Sequence, residues 1–358
     1  MRVCLFGDGS NIHLRRWATD VAARGCQVAV LSVGAAPPIS GVLVHSVASR
    51  PAVLRRLVSA RDARRFLRHV APQIVHVHFV WHGVRSLWPL GIGKLVVSPY
   101  GTDVEAIPDG LAGVVARCLV RITLSRAHAL VTASDYLMAR TLELGAVPER
   151  AITEVIGFGV DAGPFAAAAA RRRQDGVDIV IGFAKGLRPY YGAADLLEAV
   201  ARLRADGLCV RLRVAGRGPS EAQLRQRAIA LGLDDAVEWL GHVPEGALPA
   251  FFAGLDLFAM PSHREAYGVA ALEAASAGVA VVATRVGGIA EVVAHGESGL
   301  LVPPGDPAAL ADALGALARD PARRRRMGAE GQRLARARHD RARAVDRMLA
   351  LYTRVLAT

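Results

Sequence analysis

The sequence predicts an α/β protein with two doubly wound domains, each built on a parallel sheet. Short apolar segments alternate with helical segments through both halves of the chain, a pattern typical of parallel strands covered by helices on both faces. The chain has 358 residues, a length that suits two hydrophobic cores better than one. Two such domains in tandem imply a cleft between them, with ligands at the carboxyl ends of the strands.

The strands predicted in the N-terminal half have the sequences RVCLFG, QVAVLSV, QIVHVHF, LVVSP and ALVTAS. Ser10 or Asn11 is expected to cap the first helix, which ends at Gly25. The longest uncharged run, residues 25–49, contains a pair of prolines and is predicted to form two strands around a turn instead of a membrane-spanning helix. Further helices are predicted near residues 53–69, 111–127 and 135–144.

An alanine- and arginine-rich segment, AAAAARRRQDG at residues 166–176, interrupts the alternation and is the predicted linker. It divides an N-terminal domain, residues 1–165, from a C-terminal domain, residues 177–339. The strands predicted in the second domain are DIVIGFA, VRLRVAG, VEWLG, DLFAMPS and VAVVAT. The final helix, residues 340–358, needs a partner surface because its apolar residues recur at helical spacing: Ala344, Met348, Leu351, Tyr352 and Val355.

Composition argues against several classes of protein. With 52% hydrophobic and 21% charged residues, the chain is not expected to be disordered. A strand begins directly after Met1, so no signal peptide is expected. The cysteines have no paired spacing, which argues against a disulfide framework or a zinc site and favours a reducing cytoplasm: Cys4, Cys26, Cys118 and Cys209.

The net charge of +12 favours anionic partners, namely acidic lipid, phosphate or nucleic acid. Nucleic acid is disfavoured, because only 5% of the residues are aromatic and no nucleic-acid-binding module is recognisable. The predicted helix at residues 53–69 is basic and amphipathic, which is typical of peripheral contact with an anionic membrane; a solvated helix in an arginine-rich chain is the alternative. Its arginines are Arg55, Arg56, Arg61, Arg64, Arg65 and Arg68.

The strand DLFAMPS leads through a short loop into a helix that begins near Gly268. The first turn of this helix, Gly268, Val269 and Ala270, offers backbone N–H groups and a positive dipole end that suit a diphosphate. Glu273 lies on an otherwise apolar helix, where a carboxylate needs a partner. That partner is either a ribose diol or a nearby arginine. Glu265 lies in the preceding loop.

The segment PSHREAYGVAALEA resembles the paired-glutamate motif of the retaining GT-B glycosyltransferases of family 4, also called group 1. Other segments resemble landmarks of that family in the same order along nearly the whole chain: IVHVH, GTD, ALVTASDYL, IGFGVD, VAGRGP, VEWLGHVP, ATRVGGIAEVV and SGLLVPPGDPAALADAL. The resemblance implies two Rossmann-like doubly wound domains facing each other across a cleft. It also implies that the final helix packs back on the N-terminal domain.

By this resemblance, the C-terminal domain binds most of a nucleotide-sugar donor. Glu265 is expected to contact hydroxyls of the donor sugar, Glu273 to hold the ribose, and Gly216 in VAGRGP to lie in the donor site. Lys185 lies near the family's usual arginine, and a cation here would neutralise the diphosphate and stabilise the leaving group. The chain has only one other lysine, Lys94, which makes Lys185 informative.

The chain departs from the family after Lys185, where Tyr191-Gly192 replaces the usual lysine-glycine. Arg188 is the candidate for the second positive charge. A lysine followed by tyrosine-glycine resembles a subgroup of bacterial surface-polysaccharide transferases.

In the N-terminal half, Gly7 and Gly9 follow the first strand, where the resemblance implies close approach of the backbone to the donor phosphates. Asp103 matches the family's aspartate and is a candidate catalytic residue, together with Lys185, Glu265 and Tyr100. Tyr100 replaces a histidine that the family often has near the transferred sugar. Tyr100 either hydrogen-bonds the donor sugar or packs the cleft wall. His13 either lines the acceptor side or is a surface residue.

Three histidines, His76, His78 and His82, have spacing that could suggest a metal site. No cysteine or carboxylate accompanies them, and GT-B enzymes in general work without a bound metal. We therefore expect no metal, with one or two of these histidines lining the cleft.

The leading hypothesis is a retaining hexosyltransferase that needs no cofactor and takes its sugar from a nucleotide-diphosphate donor, with a UDP-sugar favoured. The acceptor would be a saccharide or lipid-linked, in cell-surface polysaccharide or glycolipid biosynthesis. The expected location is the cytoplasm, including the inner face of the plasma membrane. Two alternatives are a nucleotide-sugar epimerase on a related fold and a non-catalytic protein that binds anionic surfaces.

Overall fold

The computed structural model describes residues 1–47, 53–80, 92–105, 107, 110–170 and 178–358. The chain forms two compact units. The first comprises Met1–Phe158 together with Ala342–Thr358, and the second comprises Gly159–Arg341. The chain therefore passes from the first unit to the second before the predicted limit at residue 165.

The first unit contains a seven-stranded sheet with the order β3-β2-β1-β4-β5-β6-β7. All of its strand pairs are parallel. The strand order reverses between β1 and β4, so the carboxyl ends of these two strands form the position where α/β sheets bind ligands. The strands are Arg2–Gly7 (β1), Gln27–Val33 (β2), Leu43–Val47 (β3), Ile74–His78 (β4), Lys94–Ser98 (β5), Ala129–Thr132 (β6) and Ile152–Val155 (β7).

Helices cover both faces of this sheet. Asn11, and not Ser10, caps the first of them, because its side chain accepts the N–H groups of His13 and Leu14. One apolar cluster lies on the α1 side of the sheet and another on the side of α2 and α4. These helices are Ile12–Ala23 (α1), Val53–Val70 (α2), Thr102–Glu105 (α3), Gly110–Leu124 (α4) and Asp135–Leu142 (α5).

The second unit contains a six-stranded parallel sheet with the order β10-β9-β8-β11-β12-β13. Its order reverses between β8 and β11. The strands are Ile179–Ala184 (β8), Val210–Ala215 (β9), Val237–Gly241 (β10), Leu257–Met260 (β11), Ala280–Thr284 (β12) and Gly299–Val302 (β13). The helices are Ala162–Ala169 (α6), Ala193–Ala205 (α7), Glu221–Ala230 (α8), Leu248–Ala253 (α9), Val269–Ser276 (α10), Ile289–Val292 (α11), Pro307–Arg319 (α12) and Pro321–Arg338 (α13).

The alanine-rich start of the predicted linker is helical. Asp161 caps α6 by accepting the N–H of Gly163, and Phe165 is buried beside Phe252 with 5.9 Å between ring centroids. Alanine has the highest helix propensity, and here a buried aromatic side chain anchors the helix. Residues 166–169 therefore belong to a helix of the second unit and not to a linker, whereas residues 171–176 lie outside the described residues.

The last helix, Arg341–Ala357 (α14), packs on the sheet of the first unit. It buries Ala344, Met348, Leu351, Tyr352 and Val355 in the α1 side of that core, the face that helical spacing predicts. The Tyr352 hydroxyl lies 2.6 Å from Nδ1 of His76 on β4. This polar contact is fully buried, so it fixes the position of the helix along the sheet.

The basic segment forms α2, as the sequence predicts. Among the side chains that the structure describes in α2, Ala63, Phe66 and Leu67 are buried on the sheet, whereas Arg61, Arg64, Arg65 and Arg68 are exposed. In the ranges that the structure describes, no helix combines the length and apolar character needed to cross a membrane.

Candidate functional site

A cluster of charged residues in the second unit lies where the strand order reverses. Lys185 directly follows β8, and Glu265 lies in the loop after its neighbour β11. The Lys185 Nζ atom is 2.5 Å from Oε2 of Glu265, and the two side chains are only 17% and 10% exposed. The two sequence-predicted residues therefore form a largely buried ion pair.

The surroundings keep Lys185 positively charged. Burial lowers the pKa of its ammonium group, but Glu265, Tyr191 and Glu273 raise it by more, so that the pKa lies above its ordinary value. The ammonium also lies over the Tyr191 ring, 4.9 Å from the centroid, where the ring quadrupole attracts it. The tyrosine that replaces the usual lysine thus contacts the cation directly.

Three contacts join the loops that carry Lys185 and Glu265. The His263 N–H donates to the Tyr190 carbonyl at 2.8 Å, and the His263 ring lies 2.6 Å from Asp195 Oδ2. Gly192 has φ of +69°, and a Cβ there would lie 1.9 Å from the Pro261 carbonyl oxygen. Only glycine allows this approach without displacement of the backbone.

Gly216 supports Lys185 from the next loop. Its φ is +154°, and a Cβ would lie 1.9 Å from the Lys185 carbonyl oxygen. In addition, the Lys185 N–H donates to the Ala215 carbonyl at 3.1 Å. The structure thus gives Gly216 a packing role beside the candidate site.

Helix α10 brings the second glutamate to the same region. It begins after Gly268, which has φ of +102° and provides no side-chain cap, so its first turn, including Val269 and Ala270, keeps the anion-binding character of a helix N-terminus. Glu273 is 6% exposed and raises the pKa of Lys185. The negative charge of Glu273 therefore helps to stabilise the Lys185 ammonium group.

Arg188 does not join this cluster. Its side chain is exposed at the start of a 3₁₀ turn, Pro189–Tyr191, and the structure records no ion pair for it among the described residues. The predicted second positive charge is therefore not assembled beside Lys185.

In the first unit, the region where the strand order reverses carries neutral polar groups. His78 Nδ1 lies 2.8 Å from the Tyr100 hydroxyl. Burial, assisted by nearby His13, lowers the pKa of His78 to about 3. Burial also raises the pKa of the Tyr100 hydroxyl well above its ordinary value. Both groups are therefore uncharged hydrogen-bonding groups at neutral pH.

Asp103 positions Tyr100. Its carboxylate accepts the backbone N–H groups of Tyr100 and Gly101, both at 2.9 Å, and of Val80 at 2.6 Å. Burial raises the pKa of Asp103, and these donors oppose the increase. Because both carboxylate oxygens bind the loop and the side chain is fully buried, the geometry favours a positioning role over the predicted catalytic one.

His76 is a packing residue. Its Nδ1 contacts the Tyr352 hydroxyl, and its Nε2 lies 2.7 Å from the Ser98 hydroxyl. Both ring nitrogens are thus occupied by neutral partners, and burial lowers the pKa of His76 well below its usual range. His82 lies outside the described residues. Within the described ranges, no group of three or more His, Cys, Asp or Glu residues could hold a metal ion.

The glycines at the end of β1 and just after it, Gly7 and Gly9, have internal packing partners. A Cβ on Gly7 would lie 2.8 Å from Leu14 Cδ1, and one on Gly9 would lie 2.5 Å from the Ala36 Cβ.

His13, on α1, stacks on Phe158 with 4.3 Å between ring centroids. No role was predicted for Phe158, although it lies in the landmark-like segment IGFGVD. The ring contact of Tyr191 was not predicted either, although the departure from the family marked that position.

Two family models match the chain. Residues 168–334 match the family model "Glycosyl transferases group 1", and residues 2–134 match "Glycosyl transferase 4-like". The chain is 30% identical over 355 residues to the D-inositol 3-phosphate glycosyltransferase of Pseudarthrobacter chlorophenolicus, which covers 89% of this chain and 84% of that protein.

A second relative matches over a shorter region. The D-inositol 3-phosphate glycosyltransferase of Corynebacterium efficiens is 39% identical over 174 residues, or 46% of this chain and 41% of that protein. The matched region thus spans less than half of that relative's length.

Among solved structures, Anabaena HepE in complex with UDP and glucose superposes with a TM-score of 0.84 at 20% identity, covering 99% of each chain. At this identity the likeness shows the fold. From the family models, the long match to a curated relative and the two parallel-sheet units, the chain belongs to the group 1 glycosyltransferases with the GT-B fold.

Proposed function

We propose that this glycosyltransferase transfers a hexose with retention of anomeric configuration from a nucleotide-diphosphate sugar, with a UDP-sugar favoured. The observation that carries the proposal is the buried cluster of Lys185, Glu265 and Glu273 at the carboxyl ends of neighbouring strands. One permanent cation beside two carboxylates matches a donor that combines a diphosphate with ribose and sugar hydroxyls. The complex of HepE with UDP and glucose supports the choice of nucleotide.

The cluster divides the binding of the donor between its members. Lys185 and the N-terminus of α10 would neutralise the diphosphate. Glu265 would accept hydrogen bonds from sugar hydroxyls, and Glu273 from the ribose diol. Lys185 pairs with Glu265, and the diphosphate would take over part of the ammonium's hydrogen bonding when it binds.

In the transfer step, the bond between the anomeric carbon and the diphosphate oxygen breaks, and that oxygen keeps the electron pair. The acceptor hydroxyl oxygen bonds to the same face of the anomeric carbon, and its proton passes to the leaving diphosphate. Lys185 stabilises the charge that grows on the diphosphate, which is the interaction that strengthens most in the transition state. We propose that this fixed cation allows turnover without a bound metal.

We further propose that the acceptor is a saccharide or lipid-linked, in cell-surface polysaccharide or glycolipid biosynthesis at the inner face of the plasma membrane. The chain's net charge of +12 and the exposed arginines of α2 support peripheral contact with anionic lipid. The neutral His78–Tyr100 pair suits uncharged hydroxyl groups better than phosphate.

A screen of nucleoside diphosphates by thermal denaturation tests donor binding. UDP at about 100 times its dissociation constant should stabilise the protein by about 2.7 kcal/mol, and ADP and GDP should stabilise it less. Stabilisation by none of the three would contradict the proposal.

Incubation with UDP-glucose then tests the chemistry. NMR should show transfer or slow hydrolysis with the α configuration retained at the anomeric carbon. An inverted product would refute retention, and an epimerised nucleotide sugar would support the epimerase alternative. Loss of turnover in chelator, with recovery on addition of magnesium or manganese, would refute metal independence.

A further inference from the structure

Helix α4 in the first unit is apolar on two opposite faces. Val120 and Leu124 on its inner face are buried in the core. On its outer face Leu111, Val114, Val115 and Ile122 are exposed, Leu111 by 81%. These positions follow helical spacing and form one stripe along the helix. Nine large hydrophobic residues are exposed among the described residues, and this single stripe contains four of them.

Positive charge borders this stripe. Arg117 and Arg121 are exposed on the same helix, and Arg126 follows it. The sequence of α4, GLAGVVARCLVRITL, contains no acidic residue. The stripe therefore combines apolar side chains with a rim of one sign of charge, which complements an anionic lipid surface.

Helix α2 extends the positive surface. Phe66 and Leu67 of α2 lie in the same core cluster as Val120 and Leu124 of α4, so both helices cover the same face of the sheet. The outward arginines in the part of α2 whose side chains the structure describes add charge, and Ala63, Phe66 and Leu67 there are buried. Helix α2 can thus attract an anionic surface, and α4 has exposed apolar side chains that can enter it.

We propose that α4 is a membrane-docking helix that lies in the plane of an anionic bilayer and inserts the stripe Leu111, Val114, Val115 and Ile122. A second copy of the chain is a poorer occupant. In a symmetric dimer the same patch faces itself, which would bring Arg117 and Arg121 of both copies together in like-charge contact. This inference rests on the proposed function, which gives the reason for docking. Lipid binding itself, however, requires no turnover.

The test is flotation with vesicles of phosphatidylcholine alone and of a phosphatidylcholine–phosphatidylglycerol mixture. The wild-type protein should bind the anionic vesicles and bind the neutral ones much less. The triple variant L111S/V114S/V115S should bind anionic vesicles at least about tenfold more weakly, because it loses most of the insertable apolar area. Ile229→Ser, at a 61% exposed residue on α8 of the second unit, is the matched control and should bind like wild type.

Equal binding by the triple variant and wild type would overturn the proposal, as would equal binding to neutral vesicles. A wild-type dimer that the triple variant converts to a monomer in sedimentation would assign the stripe to a second copy and would also overturn it. UDP stabilisation of the triple variant should remain that of wild type. If lipid binding follows the prediction but UDP does not stabilise the protein, the docking proposal stands and only the proposed donor is refuted.

Discussion

The two units treat buried titratable groups in opposite ways. In the second unit, Lys185 is largely buried but remains charged, because Glu265 lies 2.5 Å away. In the first unit, His78 is more deeply enclosed and is neutral, because burial and nearby His13 lower its pKa to about 3. Its recorded contact within the described ranges is with the Tyr100 hydroxyl and not with a carboxylate. Burial disfavours a charge unless an opposite charge compensates for it.

The two sites therefore suit different chemical groups. A preserved cation suits the diphosphate of a donor, where negative charge grows during transfer. Neutral imidazole and phenol groups suit hydroxyl groups, which need directional hydrogen bonds and not charge. Five predictions test this contrast.

Removal of the cation should have the largest effect. Lys185→Ala should lower kcat by roughly 100-fold or more, as for other preorganised electrostatic groups, and Lys185→Arg should restore part of the loss. The measurement is steady-state kinetics with saturating donor and acceptor. Arg188→Ala, at an exposed arginine in the same loop, is the control and should have nearly normal turnover. If Lys185→Ala retains normal kcat, the leaving-group role does not belong to Lys185.

The same variant has a predictable effect on stability. Lys185→Ala leaves Glu265 buried without its cation, which should lower the free energy of unfolding by about 3 kcal/mol. The double variant K185A/E265Q removes both charges and should recover much of that stability while remaining inactive. Urea denaturation separates the two effects. A double variant that recovers activity would show that the pair is structural only.

Loss of the second glutamate should act mainly on binding. Glu273 is expected to hold the ribose equally in the ground and transition states, so Glu273→Ala should raise the donor KM by about 10- to 100-fold with a smaller change in kcat. Glu265→Gln should lower both kcat and discrimination between donor sugars. A fall in kcat for Glu273→Ala as large as that for Lys185→Ala would show that both act in the transition state.

Loss of the Tyr191 ring beside the Lys185 ammonium group should have a smaller effect. Tyr191→Leu removes the cation–π contact with Lys185, which should lower kcat by about tenfold. Tyr191→Phe keeps the ring and should be nearly normal. Kinetics of both variants at saturating donor decide whether the ring or the hydroxyl matters. Equal losses in the two variants would assign the effect to the hydroxyl and contradict a role for the ring.

The smallest effect concerns the neutral histidine. His78 has a folded-state pKa of about 3, below its unfolded value of about 6.5, so the unfolded chain binds more protons between these values. Stability is therefore complete above about pH 6.5 and decreases as the pH falls towards 3, with about 1 kcal/mol lost between pH 6 and pH 5. His78→Gln should lose less stability over this interval in urea denaturation. His69→Gln, on the exposed face of α2, should follow wild type, and identical pH dependence in both variants would contradict the assignment.

Sequence patterns were most informative where local rules operate. The alternation of strands and helices, the motif around Glu265 and Glu273, and the apolar face of α14 all depend on short-range periodicity or on spacing within one segment. The strand β7 was missed because it lies at the edge of the sheet, is only partly buried, and contains Glu154, so its apolar signal is weak. Residues 166–169 of α6 were assigned to a linker because Phe252, which anchors this helix, lies far along the sequence.

The fold class, the family resemblance and the candidate site residues Lys185, Glu265 and Glu273 can therefore be predicted from the sequence alone. How these residues are used depends on the tertiary structure. It pairs Lys185 with Glu265, places the Tyr191 ring on the ammonium, and turns Asp103 towards backbone amides. It also buries Ala63, Phe66 and Leu67 of α2 while exposing Leu111, Val114, Val115 and Ile122 of α4. The physical reason is that charge state and exposure depend on neighbours that the fold brings together from distant segments, and such neighbours leave no periodic trace in the sequence.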